Sequence, residues 1–373
     1  MNLLVSGGKI ILSAGACVTV GAFPNLISRS LPVFASTGTS SSVISSNYNT
    51  IWSSTGTSET VALDISSVPS GQKTTNALYW YDETGVDTTT LYFDVGRPTG
   101  GGGVKNNQPA TYTIEGNTGA GGGSAPGSGW VTLVSTVTNG YASRKHTLSS
   151  ATSLAGYNWV RLNIATSSSS VISLKIDLWD VSGGNRDILH LGDSRVWFGL
   201  NHANPHGGSS ACDSLGNLMQ PSCGFYAPTL NTGMSGAKAA DIDSLVAQWL
   251  TDMPGFKWAT LNIGINDALA SAWASSWTTS YQSIVNKLIA AGVKVFCESI
   301  GDTSSAGPHA NLPAYNSAIA GVVSGTAGAF TGYDEYTFFV NNPSFLSGDQ
   351  VHATDSGFAA LRTAKATYYA SLI

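Results

Sequence analysis

Ile188-Leu189-His190-Leu191-Gly192-Asp193-Ser194 reads as a short buried strand that halts at a glycine turn, with a serine just past its end. A serine in that place faces the carboxyl edge of a parallel sheet, where open α/β sheets put their chemistry. Gly, Asp and Ser are also ordinary turn residues, so the tripeptide acquires meaning only through partners elsewhere in the chain.

Downstream of this stretch, strands alternate with helices, the pattern of a parallel sheet covered on both faces. A second strand is expected over Phe225 to Leu230. A helix over Ala237 to Leu250 carries Ile242, Leu245, Val246, Trp249 and Leu250 on one face. A third strand, Trp258 to Ile263, precedes a helix over Thr279 to Ala291 that ends at Gly292. Val293 to Cys297 forms the fourth strand, Leu312 to Val323 a helix, and a fifth strand lies near Phe330. A last helix runs from about Asp355 to Leu372.

Upstream, as far as Gly184, helical periodicity is missing. Short alternating or aromatic-rich runs, divided by turn residues, mark strands at 60–65, 77–81, 91–95, 111–114, 130–137, 159–164 and 172–179. Many strands with frequent turns imply a β-sandwich. The chain therefore divides into an all-β domain over 1–184 and an α/β domain over 185–373. Gly100 to Gly103 and Gly119 to Gly123 are glycine-rich loops of the first domain; they lack the strand-to-helix setting of a phosphate cradle.

Composition narrows the function. At 373 residues and 42% hydrophobic the chain can bury real cores, yet only 10% of it is charged. A surface of Ser, Thr, Gly and Asn is common in exported, polymer-facing proteins, and an extracellular or secreted location is expected. The net charge is −5, without a basic stripe, so a nucleic-acid footprint is missing. No stretch reaches the ~20 apolar residues of a membrane helix. The first residues read either as short strands around Gly7-Gly8 or as a weak signal peptide over Ile10 to Ala22. Cys212 and Cys223 leave both a local disulfide and free thiols open, Cys297 reads as a core thiol, Cys17 has no assignment, and no cysteine spacing suggests zinc.

Ser194 needs a base and something to orient that base. Of the 6 histidines, His352 alone has a carboxylate at short fixed spacing in a strand-to-helix loop, in Gly348-Asp349-Gln350-Val351-His352. There Asp349 can hold one ring nitrogen while the other faces the serine. Asn266, in Asn262-Ile263-Gly264-Ile265-Asn266-Asp267 at the end of the third strand, can direct its amide at a developing oxyanion. Gly236, entering a helix after the second strand, lets its backbone N–H approach an anion. Each fragment alone also reads as a helix cap or a loop. His202 and His206 read as parts of a long loop bordering the cleft rather than as metal ligands, and Trp273 and Trp277 as helix packing or a sugar platform.

In the order Ser, Gly, Asn, Asp-x-x-His, residues 187 to 373 resemble the SGNH (GDSL-like) hydrolase superfamily. The resemblance implies a three-layer, flavodoxin-like α/β domain with a parallel sheet. It also implies Ser194 as nucleophile, His352 as base, Asp349 as its orienting acid, and an oxyanion hole from Ser194, Gly236 and Asn266. No cofactor or metal is implied. Arg195 stands where the family pattern often has leucine, which bears on substrate rather than class. The run from Trp130 through Tyr157, Trp159 and Arg161 to Asp177 resembles the last strands of a galactose-binding-like jelly roll, whose aromatic residues serve either sugar contact or the core. A β-sandwich ahead of such a hydrolase is similar to carbohydrate acetylesterases, which implies a small-molecule or polysaccharide acetyl ester as substrate. A second reading is a glycan-binding or structural protein, of phage-tail or cell-surface type, whose hydrolase domain is degenerate.

Overall fold

The computed structural model describes residues 4–6, 9–11, 26–45, 50–81, 107–141, 143–184, 186–200, 215–216, 218–219, 227–270, 275–304 and 308–373. The expected strand at 91–95, the loop at Gly100 to Gly103, Cys17, His202, His206, Cys212, Cys223 and Trp273 lie outside these residues. At the start of the chain, β1 (Leu4–Ser6) and β2 (Lys9–Ile11) pair antiparallel on either side of Gly7-Gly8.

The β-rich part contains β3 (Val33–Ala35), β4 (Trp52–Ser53), β5 (Glu59–Asp64), β6 (Thr75–Tyr81), β7 (Pro109–Asn117), β8 (Val131–Thr138), β9 (Ser143–Ser149), β10 (Trp159–Ser167) and β11 (Ser173–Asp180). They form a five-stranded sheet, β3-β5-β10-β7-β8, and a four-stranded sheet, β4-β11-β6-β9. Every pairing is antiparallel. Val61, Leu63, Ile114, Leu162 and Ile164 of the first sheet meet Leu78, Trp80, Leu148, Ile176 and Leu178 of the second in one core. Trp159 is fully buried, its ring packed on Phe34 and its indole N–H donated to the Ala120 carbonyl. That indole serves the core and not a sugar.

The α/β part has five parallel strands: β12 (Ile188–Gly192), β13 (Thr229–Asn231), β14 (Trp258–Asn262), β15 (Lys294–Ser299) and β16 (Ala329–Asp334). Their order is β13-β12-β14-β15-β16, the flavodoxin-like 2-1-3-4-5 arrangement. Its helices include α1 (Ser194–Leu200), α2 (Ala239–Asp252), α3 (Ile265–Ala270), α4 (Ser275–Ala290), α5 (Leu312–Gly325), α6 (Glu335–Asn341) and α7 (Asp355–Ala370). Strand residues alternate between the layers as a pleat requires. Leu189, Leu191, Leu261 and Val295 pack with Ile242 and Trp249 of α2, Leu288 of α4 and Val322 of α5. Ile188 and Phe296 pack on the other face with Val196 and Leu200 of α1 and Tyr369 of α7.

The second strand departs from expectation: it occupies Thr229–Asn231, with the carbonyl of Pro228 already accepting from the Ile188 N–H. As the edge strand of the sheet, it tolerates the missing N–H of Pro228.

The four-stranded sheet is covered twice. Leu78 and Trp80 of β6 point into the sandwich, whereas Ala77, Tyr79 and Tyr81 join the core that holds Leu189, Trp249 and Phe256 of the α/β part. Inside this junction Lys145 of β9 forms an ion pair with Asp187, both side chains fully buried. The Tyr79 hydroxyl donates to the same carboxylate at 2.8 Å, and the Lys145 ammonium lies 4.4 Å above the Phe256 ring. Further bonds cross the junction from Tyr141 to the Asp252 carboxylate at 2.6 Å and from Thr147 to the Pro254 carbonyl at 3.1 Å.

A buried charge stripped of its partner is costly, so Lys145→Met is expected to lower the unfolding free energy by ~3–5 kcal/mol. Urea unfolding followed by tryptophan fluorescence reads this; a loss under ~1 kcal/mol would mean the pair does not hold the junction.

Candidate active site

The carboxyl ends of β12 and β14 approach closely because Gly192 has no side chain. A Cβ there would lie 2.2 Å from the Asn262 carbonyl oxygen and 2.3 Å from Val196 Cγ2. The chain then turns at Asp193 and starts α1 with Ser194, 3% exposed, at the point where the strand order reverses. α1 is held down by Asn231, whose amide donates to the carbonyls of Val196 and Trp197 at 3.1 and 3.2 Å.

Ser194 meets a residue 158 positions away. His352 Nε2 lies 2.8 Å from Ser194 Oγ, and His352 Nδ1 lies 2.6 Å from Asp349 Oδ2. The other Asp349 oxygen accepts from the backbone N–H groups of Val351 and His352, both at 2.9 Å, and from the Ser347 hydroxyl at 2.6 Å. Burial pushes the Asp349 carboxyl up, but the hydrogen bonds from His352 and Ser347 outweigh it and hold the group well below the usual carboxylate range. An ionised carboxylate only accepts, so Nδ1 carries the ring proton and Nε2 is the acceptor for the serine hydroxyl. The imidazole edge also packs against Phe198 of α1, with centroids 5.7 Å apart.

The glycine and asparagine fragments are joined to one another and to this edge. The N–H groups of Thr232 and Met234 donate to the carbonyls of His190 and Gly192 at 2.8 and 2.9 Å, extending the chain beside the end of β12. Gly236 follows in a left-handed turn with φ +75°, exposed and with open space where a Cβ would stand. The Asn266 amide donates to the Ala237 carbonyl at 2.9 Å, which uses one of its two N–H bonds. Its neighbour Asp267 accepts from the Ala239 N–H at 3.1 Å, so the acid caps α2 rather than its own helix. Asn262 is a brace: its amide donates to the buried Glu298 carboxylate and to the Ser299 carbonyl.

Arg195, read from the sequence as bearing on substrate, turns inward. It is 3% exposed, with Nε donating to the Val351 carbonyl at 2.6 Å and Nη2 to the Asp302 carbonyl at 3.0 Å. Sequence reasoning also missed the pair His309–Asp302, 2.6 Å apart, in the loop after β15. Trp277 is buried against Tyr281 and Tyr315, with centroids at 4.9 and 4.7 Å, and is therefore a packing residue. Cys297 is a buried free thiol, pushed up to about 11 by burial. Among the described residues no cluster of ligating side chains could hold a metal ion, and no helix is long and apolar enough to cross a membrane.

Residues 190–360 match the GDSL-like Lipase/Acylhydrolase family. Among solved structures, the chain is similar to the psychrotrophic esterase EstA from Pseudoalteromonas sp., with 16% identity over 50% of this chain and 97% of that one, at a TM-score of 0.41. It is also similar to the acetyl xylan esterase AlAXEase, with 18% identity over 50% and 100% of the two chains and a TM-score of 0.40. Axe2, an acetylxylan esterase from Geobacillus stearothermophilus, gives 18% identity over 50% and 93%, again at 0.40. No curated protein matches the chain.

Asp193, fully buried beside the serine, is pushed up to about 7 by burial, against the hydrogen bond from the Arg195 N–H. Its folded form thus keeps a proton that the unfolded chain releases near pH 4, and stability falls as pH rises from there to about 7. Asp193→Asn removes this dependence. Its unfolding free energy relative to the parent is expected to rise by a few kcal/mol, as an order of magnitude, between pH 4 and pH 7, and to level off above. Urea titrations at pH 4.5 and pH 8 check it; an equal difference at both values would contradict it.

Proposed function

We propose that this chain, whose residues 190–360 match the GDSL-like lipase/acylhydrolase family, is a carboxylic ester hydrolase that cleaves short-chain, acetyl-type esters carried on a carbohydrate. In this reading Ser194 is the nucleophile, His352 the base and Asp349 its orienting acid. The observation that carries it is the continuous relay from Ser194 Oγ to His352 Nε2 at 2.8 Å and from His352 Nδ1 to Asp349 at 2.6 Å.

The chemistry runs in two steps. Ser194 Oγ attacks the ester carbonyl carbon while His352 Nε2 takes the hydroxyl proton. Negative charge gathers on the former carbonyl oxygen, and the free N–H of Asn266 with the backbone N–H groups of Gly236 and Ser194 form the oxyanion hole. Collapse breaks the bond to the alcohol, which leaves with the proton held by His352. A water then gives its proton to the same imidazole and attacks the acyl-serine, releasing the acid and restoring Ser194. Asp349 stays ionised throughout and stabilises the imidazolium that forms twice.

Two features support an ester carried on a sugar. A β-sandwich precedes the hydrolase, and the polar, weakly charged composition suits contact with a glycan outside the cell. Within the sandwich, Trp130 is half-buried and Trp159 fully buried, so Trp130 is the more accessible aromatic candidate for such a contact, with the Arg161 guanidinium 4.1 Å above one face of its ring. The binding-only reading, with a degenerate hydrolase, draws on the same polar β-sandwich, and the hydrogen-bonded Ser194, His352 and Asp349 weigh against it.

Nitrophenyl acetate and acetylated xylan, glucomannan and pectin are the assays. Asn266→Ala is expected to lower turnover by ~10²–10³ and Ser194→Ala by more. Full activity in Ser194→Ala would exclude the mechanism, and a preference for long acyl chains would exclude the acetyl substrate while leaving the hydrolase.

A further inference from the structure

The loop that carries Asp349 and His352 is anchored at its ends, where Leu346 and Ala353 are buried with Phe339 and Phe358, and is open where its two functional side chains stand. The Asp349 side chain is 50% exposed and that of His352 32%. Gln350 between them sits in the left-handed region, with φ +55°. The loop closes on itself through Ser347 N–H to the His352 carbonyl at 2.8 Å and Gln350 N–H to the Ser347 carbonyl at 2.9 Å. These bonds shape the loop, and its ring contact with Phe198 of α1 is apolar and non-directional, so neither fixes the hydrogen-bond distance to the serine. A hydrogen bond of 2.8 Å between groups on two separate elements is sensitive to displacements well below 1 Å.

One buried side chain spans that gap. Arg195, next to the serine, donates Nε to the carbonyl of Val351, the residue immediately before His352, at 2.6 Å. The same guanidinium donates Nη2 to the Asp302 carbonyl in the loop after β15 at 3.0 Å, and its plane faces the Phe339 ring at 4.9 Å. The slot is cut to its shape: a Cβ on Gly301 would lie 2.2 Å from Nη1 and 2.8 Å from the Phe339 ring. A planar group with fixed donors can hold two carbonyls in different directions at once, which a leucine cannot do and a lysine does poorly.

We propose that Arg195 is a positioning residue that clamps the Asp349–His352 loop to the nucleophile helix. It sets the Ser194–His352 distance through the Val351 carbonyl, with the Asp302 carbonyl and Phe339 as its anchor. This rests on the reading of Ser194 and His352 as nucleophile and base, and it adds a residue that touches neither substrate nor the reacting atoms. The departure from leucine at this position then concerns the geometry of the base and not the choice of substrate.

The test uses the full chain with two variants. Arg195→Met removes the donors, and Gly301→Ala keeps the arginine but drives it out of its slot. Kinetics on nitrophenyl acetate should show kcat lowered by ~10²-fold in Arg195→Met and in the same direction in Gly301→Ala, with KM nearly unchanged. Arg195→Lys should fall between Arg195→Met and the parent. A readout independent of turnover is the far-downfield proton NMR resonance of the His352 Nδ1–H held by Asp349, assigned by its loss in Asp349→Ala. It should be sharp in the parent and in Ser194→Ala, and broadened or lost in Arg195→Met and Gly301→Ala while each protein keeps a cooperative thermal transition. Parent-like kcat and an unchanged resonance in folded Arg195→Met would overturn the clamp. If Arg195→Met does not fold, Gly301→Ala with parent kcat and resonance does so. A parent protein that cleaves no ester would instead count against the catalytic reading, and the resonance would still decide the clamp.

Discussion

The order of the five parallel strands is the constraint from which the rest follows. A sheet wound 2-1-3-4-5 sends its connections to opposite faces on either side of the first strand, and the loops that leave there part to form a crevice. Ser194 stands at that point, one turn past the end of β12. Every other group assembled with it comes from a carboxyl-end loop of the same sheet: Gly236 after β13, Asn266 after β14, Asp302 after β15, and His352 beyond β16. Residues scattered over more than 150 positions of sequence become neighbours because one edge of one sheet collects them.

What tightens this edge is a set of backbone acceptors recruited by side chains. Asn266 holds the Ala237 carbonyl, Asn231 the carbonyls of α1, and Arg195 those of Val351 and Asp302. Loops lack ladder hydrogen bonds of their own, so side-chain donors supply the fixed distances that catalysis needs. At the far side of the sheet a buried cluster braces β15 from behind, with Lys365 of α7 paired to both Glu298 and Glu335 and the Tyr369 hydroxyl donating to Glu298. The sandwich contributes rigidity by another route, since its inner sheet is shared between two cores and pinned by the buried pair of Lys145 with Asp187.

Much of this is legible in the sequence, and the exceptions have physical causes. Four of the parallel strands and the helices α2, α4, α5 and α7 are legible as apolar runs and periods, whereas the three-residue edge strand β13 is too short to place. The helices α1, α3 and α6 have seven residues or fewer, too few turns for a period to show. Strand β9, Ser143–Ser149, looks polar because its buried Arg144, Lys145 and His146 find partners in three dimensions: the Asp252 carbonyl, Asp187 and Tyr112 respectively. Alternation cannot reveal a strand whose polar face is also inside. The same limit hid Arg195, since nothing in a local pattern says that an arginine beside a serine turns inward to reach a carbonyl 156 positions away. Asp349 and His352 were readable as a pair because the carboxylate and the imidazole it hydrogen-bonds lie three residues apart in one loop.

The account stands or falls on Ser194 as the activated nucleophile. The most direct measurement is labelling of the folded protein with a serine-directed fluorophosphonate, followed by mass spectrometry of the peptides. The account predicts one adduct, on the peptide containing Ser194, formed rapidly in the parent and far more slowly in His352→Ala. An adduct on a different serine, or ester hydrolysis by a folded protein whose Ser194 stays unlabelled, would contradict it.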